Sequence, residues 1–363
     1  MLKNLKLTAL QVLKHLHILS AVRDSAWRQH RLLILCYHGI ALDDEYEWAP
    51  ALYMSRTDFE ERLRLIHQGG YAVLPLREAL ERLHTSSLPP RSVSLTFDDG
   101  NYDFFLHAHP LLKKYGFPST VYLSTYYCEN QGPVFDAACT YLLWKGRTQV
   151  IDAKPLIGAK ALWDLRTRAG RQTAALRLFD FMLRQNLSRE AKDQFIEQLA
   201  TMLGVDFGAM VSRRMLHLMT PAEVEELAAE GVDFQLHTHR HRTPLDRTLF
   251  LREIEDNRVR IQRMTGRDAI HFCYPNGLVR AEYLPWLREA NVVSGTTCTS
   301  GLASDSTDAL LLPRVIDGGH ISQIEIEGWL SGASAFLPQR RHTPSSPRVR
   351  ADAHQVELSQ PGR

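Results

Sequence analysis

The sequence predicts an α/β fold, barrel-like or doubly wound, and three observations carry that expectation. From residue 32 onward one unit recurs: an amphipathic helix, a glycine able to stop it, then a short β-branched or aromatic run. Such alternation builds a sheet covered by helices. The clusters rich in aspartate and histidine each follow directly on a predicted strand, which puts them on the rim where active sites of such folds lie. The third is a permissive one: the 363 residues fit one barrel of about 200–250 residues with additions as well as they fit two average domains.

Taken in order, residues 2–22 set Leu2, Leu5, Ala9, Leu13, Leu16 and Leu19 at helical spacing among Lys3, Lys6, Lys14 and Arg23. They predict a basic amphipathic N-terminal helix, residues 1–30, packed on the domain or lying against a membrane surface. Leu32–Cys36 is the first strand. Ser55–His67 forms a helix with Phe59, Leu63 and Ile66 on one face, closed by Gly69-Gly70 before the Tyr71–Leu74 strand. The Ser92–Phe97 strand, a helix over Tyr102–Tyr115 stopped by Gly116, and the Ser119–Leu123 strand follow. Residues 129–218 interrupt the alternation and read as an inserted helical segment, with helices over Leu162–Arg184 and, capped by Ser188, Ser188–Leu203. Thr220-Pro221-Ala222-Glu223 is a helix start with a capping hydroxyl, a first-turn proline and a carboxylate three residues on. Gly231 ends that helix before Val232–Leu236. The helix Leu245–Met264, the strand Ile270–Tyr274, the helix Tyr283–Ala290 and strands over Val292–Thr297 and Leu310–Val315 complete a domain spanning 31–335. Residues 339–363, rich in Arg, Ser and Pro, read as a disordered tail.

Composition excludes more than it assigns. With 44% apolar and 23% charged residues the chain can bury a core, and a formal charge of +2 argues against a nucleic-acid partner. Five cysteines without CxxC spacing favour a reducing, cytoplasmic setting over a disulfide framework. No apolar run spans a bilayer and no signal-peptide pattern is present, so any membrane association would be peripheral.

Four constellations could carry chemistry. Thr96-Phe97-Asp98-Asp99-Gly100 drives an apolar strand into two adjacent carboxylates, and Gly100 permits a turn that brings both to one site. His237-Thr238-His239-Arg240-His241 places three histidines in five residues after a strand. Two imidazoles and one carboxylate leave zinc a position for water. Spacing alone does not choose the pair: an extended chain aligns His237 with His239, a helical turn aligns it with His241. Tyr274-Pro275-Asn276-Gly277 forms a tight loop whose backbone N–H groups suit an oxyanion. His38, in Cys36-Tyr37-His38-Gly39, ends the first strand.

The order Thr96-Phe97-Asp98-Asp99-Gly100, His237-Thr238-x-x-His241 and Tyr274-Pro275-x-Gly277 resembles the polysaccharide deacetylase family, also called NodB-like or carbohydrate esterase family 4. The resemblance runs over about 32–125 and 217–320 and is nearest the exopolysaccharide deacetylase-like subgroup. It implies a distorted (β/α) barrel and a metal-dependent hydrolase, acting on carbon–nitrogen bonds other than peptide bonds, that removes N-acetyl groups from a glycan or glycan precursor. O-acetyl esterase action and a catalytically silent glycan-binding role stand as alternatives.

The same resemblance distributes roles. Asp98 corresponds to the general base, and Asp99, His237 and His241 to the ligands of a divalent metal, Zn²⁺ foremost. Asn276 would offer its N–H to the oxyanion. The family's motif arginine is replaced by Cys273, and Arg314 is the candidate to stand in for it. The general acid would be His38, 60 residues before Asp98 as in the subgroup, with His320 as the alternative.

Overall fold

The computed structural model describes residues 2–158, 160–185 and 187–339; most of the segment read as a tail, 340–363, lies outside the described residues. The chain divides into two compact units, one built from 1–129 with 219–343, the other containing 130–218.

The first unit is organised by eight parallel strands: β1 (Leu33–Tyr37), β2 (Ala72–Val73), β3 (Ser92–Phe97), β4 (Thr120–Leu123), β5 (Asp233–Leu236), β6 (His271–Cys273), β7 (Ser294–Thr296) and β8 (Val315–Ile316). They run in the order β7-β6-β5-β4-β3-β1-β8, with β2 paired to β3. Register sets Cys36 beside Thr96, Thr96 beside Thr120 and Leu123 beside Leu236, so the strands end at a common level. Side chains alternate between faces. Ile34, Tyr122 and Cys273 come from strands that are not neighbours yet share one core with Leu76, Leu80 and Leu83 of the helix Leu76–His84, which identifies the interior of a curled sheet. On the outer face Tyr37 and Phe97 stack at 5.3 Å and meet Phe59 of the helix Arg56–Gln68 edge-on. Burying each of these rings stabilises the fold by about 1.5–3 kcal/mol.

Local capping places the helices. Ser55 Oγ accepts from Asp58 N (3.0 Å), and Thr220 and Glu223 exchange side-chain and backbone hydrogen bonds in a capping box. The helix Arg247–Thr265 is capped by Asp246, whose Oδ1 accepts from Leu249 N at 2.8 Å. Each such cap contributes about 1 kcal/mol.

Several elements differ from expectation. The N-terminal segment is not one helix: Leu2–His15 and Ile18–Arg23 are separated at His17, which takes a left-handed conformation (φ 58°). The break lets Leu10 and Leu19 converge on Ala333 in a small core while Leu5, Val12 and Leu16 stay exposed. The expected strand Leu310–Val315 is mostly irregular. Asp308 Oδ1 caps a short 3₁₀ turn at Ala309–Leu311, Leu312 makes a single parallel bridge to Thr296, Pro313 has no N–H to donate, and the ladder with β1 begins at Val315. The helix expected over Tyr102–Tyr115 contains a π-helical stretch, Phe104–Ala108. No helix among the described residues is long and apolar enough to cross a membrane.

In the second unit, Phe135–Lys145, Arg168–Gln185, Arg189–Leu203 and Phe207–Ser212 are helical. Leu162–Asp164 is not the start of a helix but pairs antiparallel with Val150–Asp152. Ile151 and Trp163, directly opposite, are buried there and fix the hairpin. Leu142, Leu178, Ile196 and Leu199 fill the core of the unit.

Candidate active site and metal centre

The paired aspartates reach one site because the backbone turns at the second of them. Asp98 N donates to Tyr37 O (2.9 Å), continuing the ladder of β1 and β3 and sending the Asp98 side chain inward, two residues after Thr96. Asp99 then adopts φ 72° and Gly100 φ 87°, which rotates the second carboxylate toward the same opening. The φ of Gly100 is one that side chains rarely adopt, and a Cβ there would also press on Leu123 Cδ1, 2.2 Å away, so the turn favours glycine.

Asp99, His237 and His241 come together. Asp99 Oδ1 lies 3.3 Å from Nε2 of each histidine. Thr238 (φ 61°) and His241 (φ 56°) are left-handed, and Thr238 Oγ1 accepts from Arg242 N (2.9 Å), folding the loop so that first and fifth residues face each other. His239 turns away: its Nδ1 meets Thr125 Oγ1 (2.9 Å), and burial, helped by Arg260 and Arg240, pushes its pKa down to about 4. Two residues hold this loop: Cys273, noted from the sequence only as standing in place of the motif arginine, and Asn257, which no sequence pattern singled out. Cys273 O accepts from His237 Nδ1 at 2.9 Å, which leaves Nε2 as the ring nitrogen turned toward Asp99. Asn257, fully buried, accepts from His237 N (2.9 Å) and donates to Leu123 O and Thr125 Oγ1. The only hint of it was a polar residue on the apolar face of the helix carrying Phe250, Ile254 and Ile261.

These three residues fit a divalent metal. Ligand atoms about 2.0–2.1 Å from a tetrahedral zinc lie about 3.3–3.4 Å apart, the separation of each Asp99–histidine pair. All three ligand atoms fall within 4.8 Å of one another. Burial opposes ionisation of Asp99, but His241 and His237 outweigh it and hold its carboxyl well below the usual range, the form a metal requires.

Asp98 is gripped from the opposite side. Arg314 Nη1 donates to Oδ1 (2.7 Å) and Nη2 to Oδ2 (2.8 Å), a two-pronged pair with both side chains almost fully buried. Arg314 is itself held by Thr297 O through Nε (3.1 Å) and by Thr96 Oγ1 (3.2 Å). Burial raises the Asp98 pKa, yet Arg314 and then His38 and His237 overcome it and keep the carboxylate ionised. The Cys273 thiol occupies the space beside this pair, its Sγ 3.0 Å from Arg314 Nη2.

Of the two histidines considered as acid, His38 is at the site, with Nε2 3.8 Å from Asp98 Oδ2. His320 is exposed and its Nδ1 lies 3.1 Å from Pro50 O. Asn276, three residues beyond Cys273, takes φ 56° inside the Pro275–Gly277 turn, whose Gly277 N donates to Tyr274 O (2.9 Å).

Comparison with known proteins bears on the family and the fold. The family model described as polysaccharide deacetylase matches residues 85–168 and 172–294. The YxkH protein of Bacillus subtilis is 34% identical over 104 residues, 27% of this chain and 35% of that protein. Poly-beta-1,6-N-acetyl-D-glucosamine N-deacetylase of Staphylococcus aureus is 32% identical over 72 residues, 20% of this chain and 25% of the enzyme. The chain thus matches 35% of the length of the first of these relatives and 25% of the second. Among solved structures, the Streptococcus pyogenes deacetylase PplD aligns over 82% of this chain and 96% of its own with a TM-score of 0.54 at 20% identity. IcaB from Ammonifex degensii aligns over 83% and 97% with 0.52 at 17% identity. Both share the fold.

Proposed function

The chain belongs to the polysaccharide deacetylase family, and from that premise we propose that it is a divalent-metal-dependent hydrolase removing N-acetyl groups from an N-acetylated glycan. One observation carries the reading: an ionised, arginine-clamped Asp98 stands directly beside a three-residue metal-ligand set to which it contributes nothing. Neighbouring carboxylates in different settings perform different tasks. Asp99 faces two imidazoles and suits a cation; Asp98 faces a guanidinium and His38 and suits a proton.

A cation held by Asp99, His237 and His241 would polarise the acetyl carbonyl and lower the pKa of water. Asp98 takes the proton of the attacking water at Oδ2, the oxygen nearest His38. General-base action of this kind contributes about 10²–10⁴-fold. Arg314 keeps the carboxylate plane fixed while the proton arrives. His38 Nε2 gives a proton to the departing nitrogen, so that acetate and a free amine leave. The N–H of Asn276 donates to the developing oxyanion, a contribution of about 3–4 kcal/mol for a well-aimed donor. The amide preference rests on the N-deacetylase relative and on an acid positioned for a basic leaving group.

The test is acetate release from an N-acetylglucosamine oligomer and from an O-acetylated sugar, with metal content measured, for wild type and Asp98→Asn. Release from the oligomer that falls about 10²–10⁴-fold in Asp98→Asn with metal retained is expected. Release from the O-acetyl sugar alone would replace the reading with an esterase. A metal-loaded wild type inert on both would replace it with glycan binding.

A further inference from the structure

Cys36 and His38 lie two residues apart on the extended run that continues β1, so both side chains enter the barrel interior, beside Asp98. Cys36 Sγ is 3.4 Å from Asp98 Oδ2, and His38 Nε2 is 3.8 Å from the same oxygen. The three donor atoms fall within 4.8 Å of one another, and none belongs to the Asp99–His237–His241 set. His38 Nδ1 is buried and lacks a hydrogen-bond partner, and the thiol of Cys36, fully buried, has no part in the hydrolytic steps.

We infer that Cys36, His38 and Asp98 form a second cation site, selective for thiophilic divalent ions such as Zn²⁺ and Cd²⁺, whose occupation silences the base and the acid together. Sulfur, imidazole and carboxylate are the donor types zinc takes, and a tetrahedral ion about 2.3 Å from sulfur and about 2.1 Å from oxygen sets those atoms about 3.6 Å apart. The observed 3.4 Å asks for little movement. On binding, the Cys36 thiol gives its proton to solvent as the sulfur–metal bond forms; no electrons change hands. The ion brings two positive charges and the departing proton removes one. Asp98 Oδ2, which also accepts from Arg314 Nη2 and lies 3.4 Å from the Cys273 thiol, turns to the ion the lone pair released by loss of the Cys36 S–H, while Oδ1 stays with Arg314 Nη1. Mg²⁺ and Mn²⁺, which prefer oxygen ligands, would not compete for the thiolate.

A neighbouring triad, Asp98, His237 and Cys273, meets the same distance limit. It is already spoken for, because His237 Nε2 faces Asp99 and Cys273 Sγ takes a hydrogen bond from Arg314. The binding claim stands without the hydrolase reading; only the silencing claim rests on it.

The experiment is equilibrium dialysis of the metal-stripped full chain against Cd²⁺, read together with thiolate-to-cadmium absorption in the near ultraviolet. The wild type should bind two ions, one of them with thiolate absorption. Asp99→Ala should lose the silent ion and keep the absorbing one; Cys36→Ala should do the reverse; Cys273→Ala should keep both. A folded wild type that takes up one ion without absorption at excess Cd²⁺ overturns the site, as does absorption that survives Cys36→Ala and vanishes in Cys273→Ala. Should Cys36→Ala fail to fold, His38→Ala supplies the second reading, with weakened uptake of the absorbing ion expected and unchanged uptake contradicting the site. In parallel, acetate release should fall as the second Cd²⁺ or Zn²⁺ binds but not with excess Mn²⁺. Full activity with both ions bound refutes the silencing, whereas no activity under any condition counts against the hydrolase reading and leaves the dialysis result intact.

Discussion

Two buried arginine–aspartate pairs flank the short strand β8, and they leave their carboxyls in opposite states. Arg314 presents both terminal nitrogens to both oxygens of Asp98, and the carboxyl is held well below its ordinary range although burial works against it. Arg62 reaches Asp317 only through Nε (3.0 Å) while its Nη2 is spent on Ile321 O (2.6 Å); there burial prevails over the guanidinium and pushes the pKa up to about 6. An arginine beside a buried acid therefore does not by itself guarantee a charge. The number of aligned N–H groups, and the imidazoles of His38 and His237 near Asp98, decide which carboxyl stays ionised at neutral pH.

The comparison can be broken in three ways, beginning with the largest effect. Arg314→Met leaves the ionised Asp98 without a partner and should lower unfolding free energy by about 3–5 kcal/mol, measured by urea unfolding at pH 7. A smaller loss than in Arg62→Met would reverse the ranking of the two pairs. The second test is pH. Asp317 has a folded-state pKa above its unfolded value, so its contribution is complete below about pH 4 and is lost as pH rises through about 6. A shift of this size corresponds to roughly 3 kcal/mol, and the decline should flatten in Asp317→Asn; an unchanged slope would mean that the carboxyl is not the group responsible. The smallest effect belongs to Arg314→Lys, which keeps the charge and loses the fork. Deacetylation kcat should fall about 10–100-fold with metal content retained, and an undiminished kcat would show that charge alone suffices.

Legibility in the sequence followed the range of the interactions. Strand-then-acid and strand-then-histidine patterns mark the rim because strand ends are local features, and the caps at Ser55 and Thr220 are readable within four residues. The preference for His241 over His239 came from family resemblance rather than spacing, since it depends on two left-handed residues, Thr238 and His241, that no propensity requires. Arg314 could be named only as a candidate, because its partner lies 216 positions away. Asn257 was invisible for the same reason: its partners, His237, Leu123 and Thr125, converge only in the folded sheet. Leu162–Asp164 was misread because its apolar residues also fit the helical stripe that follows. The N-terminal break was hidden because Leu16 and Leu19 continue the spacing across it.

Asp99, Thr238, His241 and Asn276 all stand in the left-handed region of the backbone, each at a cost of about 1–2 kcal/mol for a residue with a side chain. A short peptide carrying any one of these motifs would relax into an ordinary extended or helical form and scatter its donors. The loops keep their shape because each is anchored in a strand at one end and in a helix at the other, so the centre exists only once the whole barrel has closed around it. The same motifs grafted onto a softer sheet would supply every ligand and still lack the site.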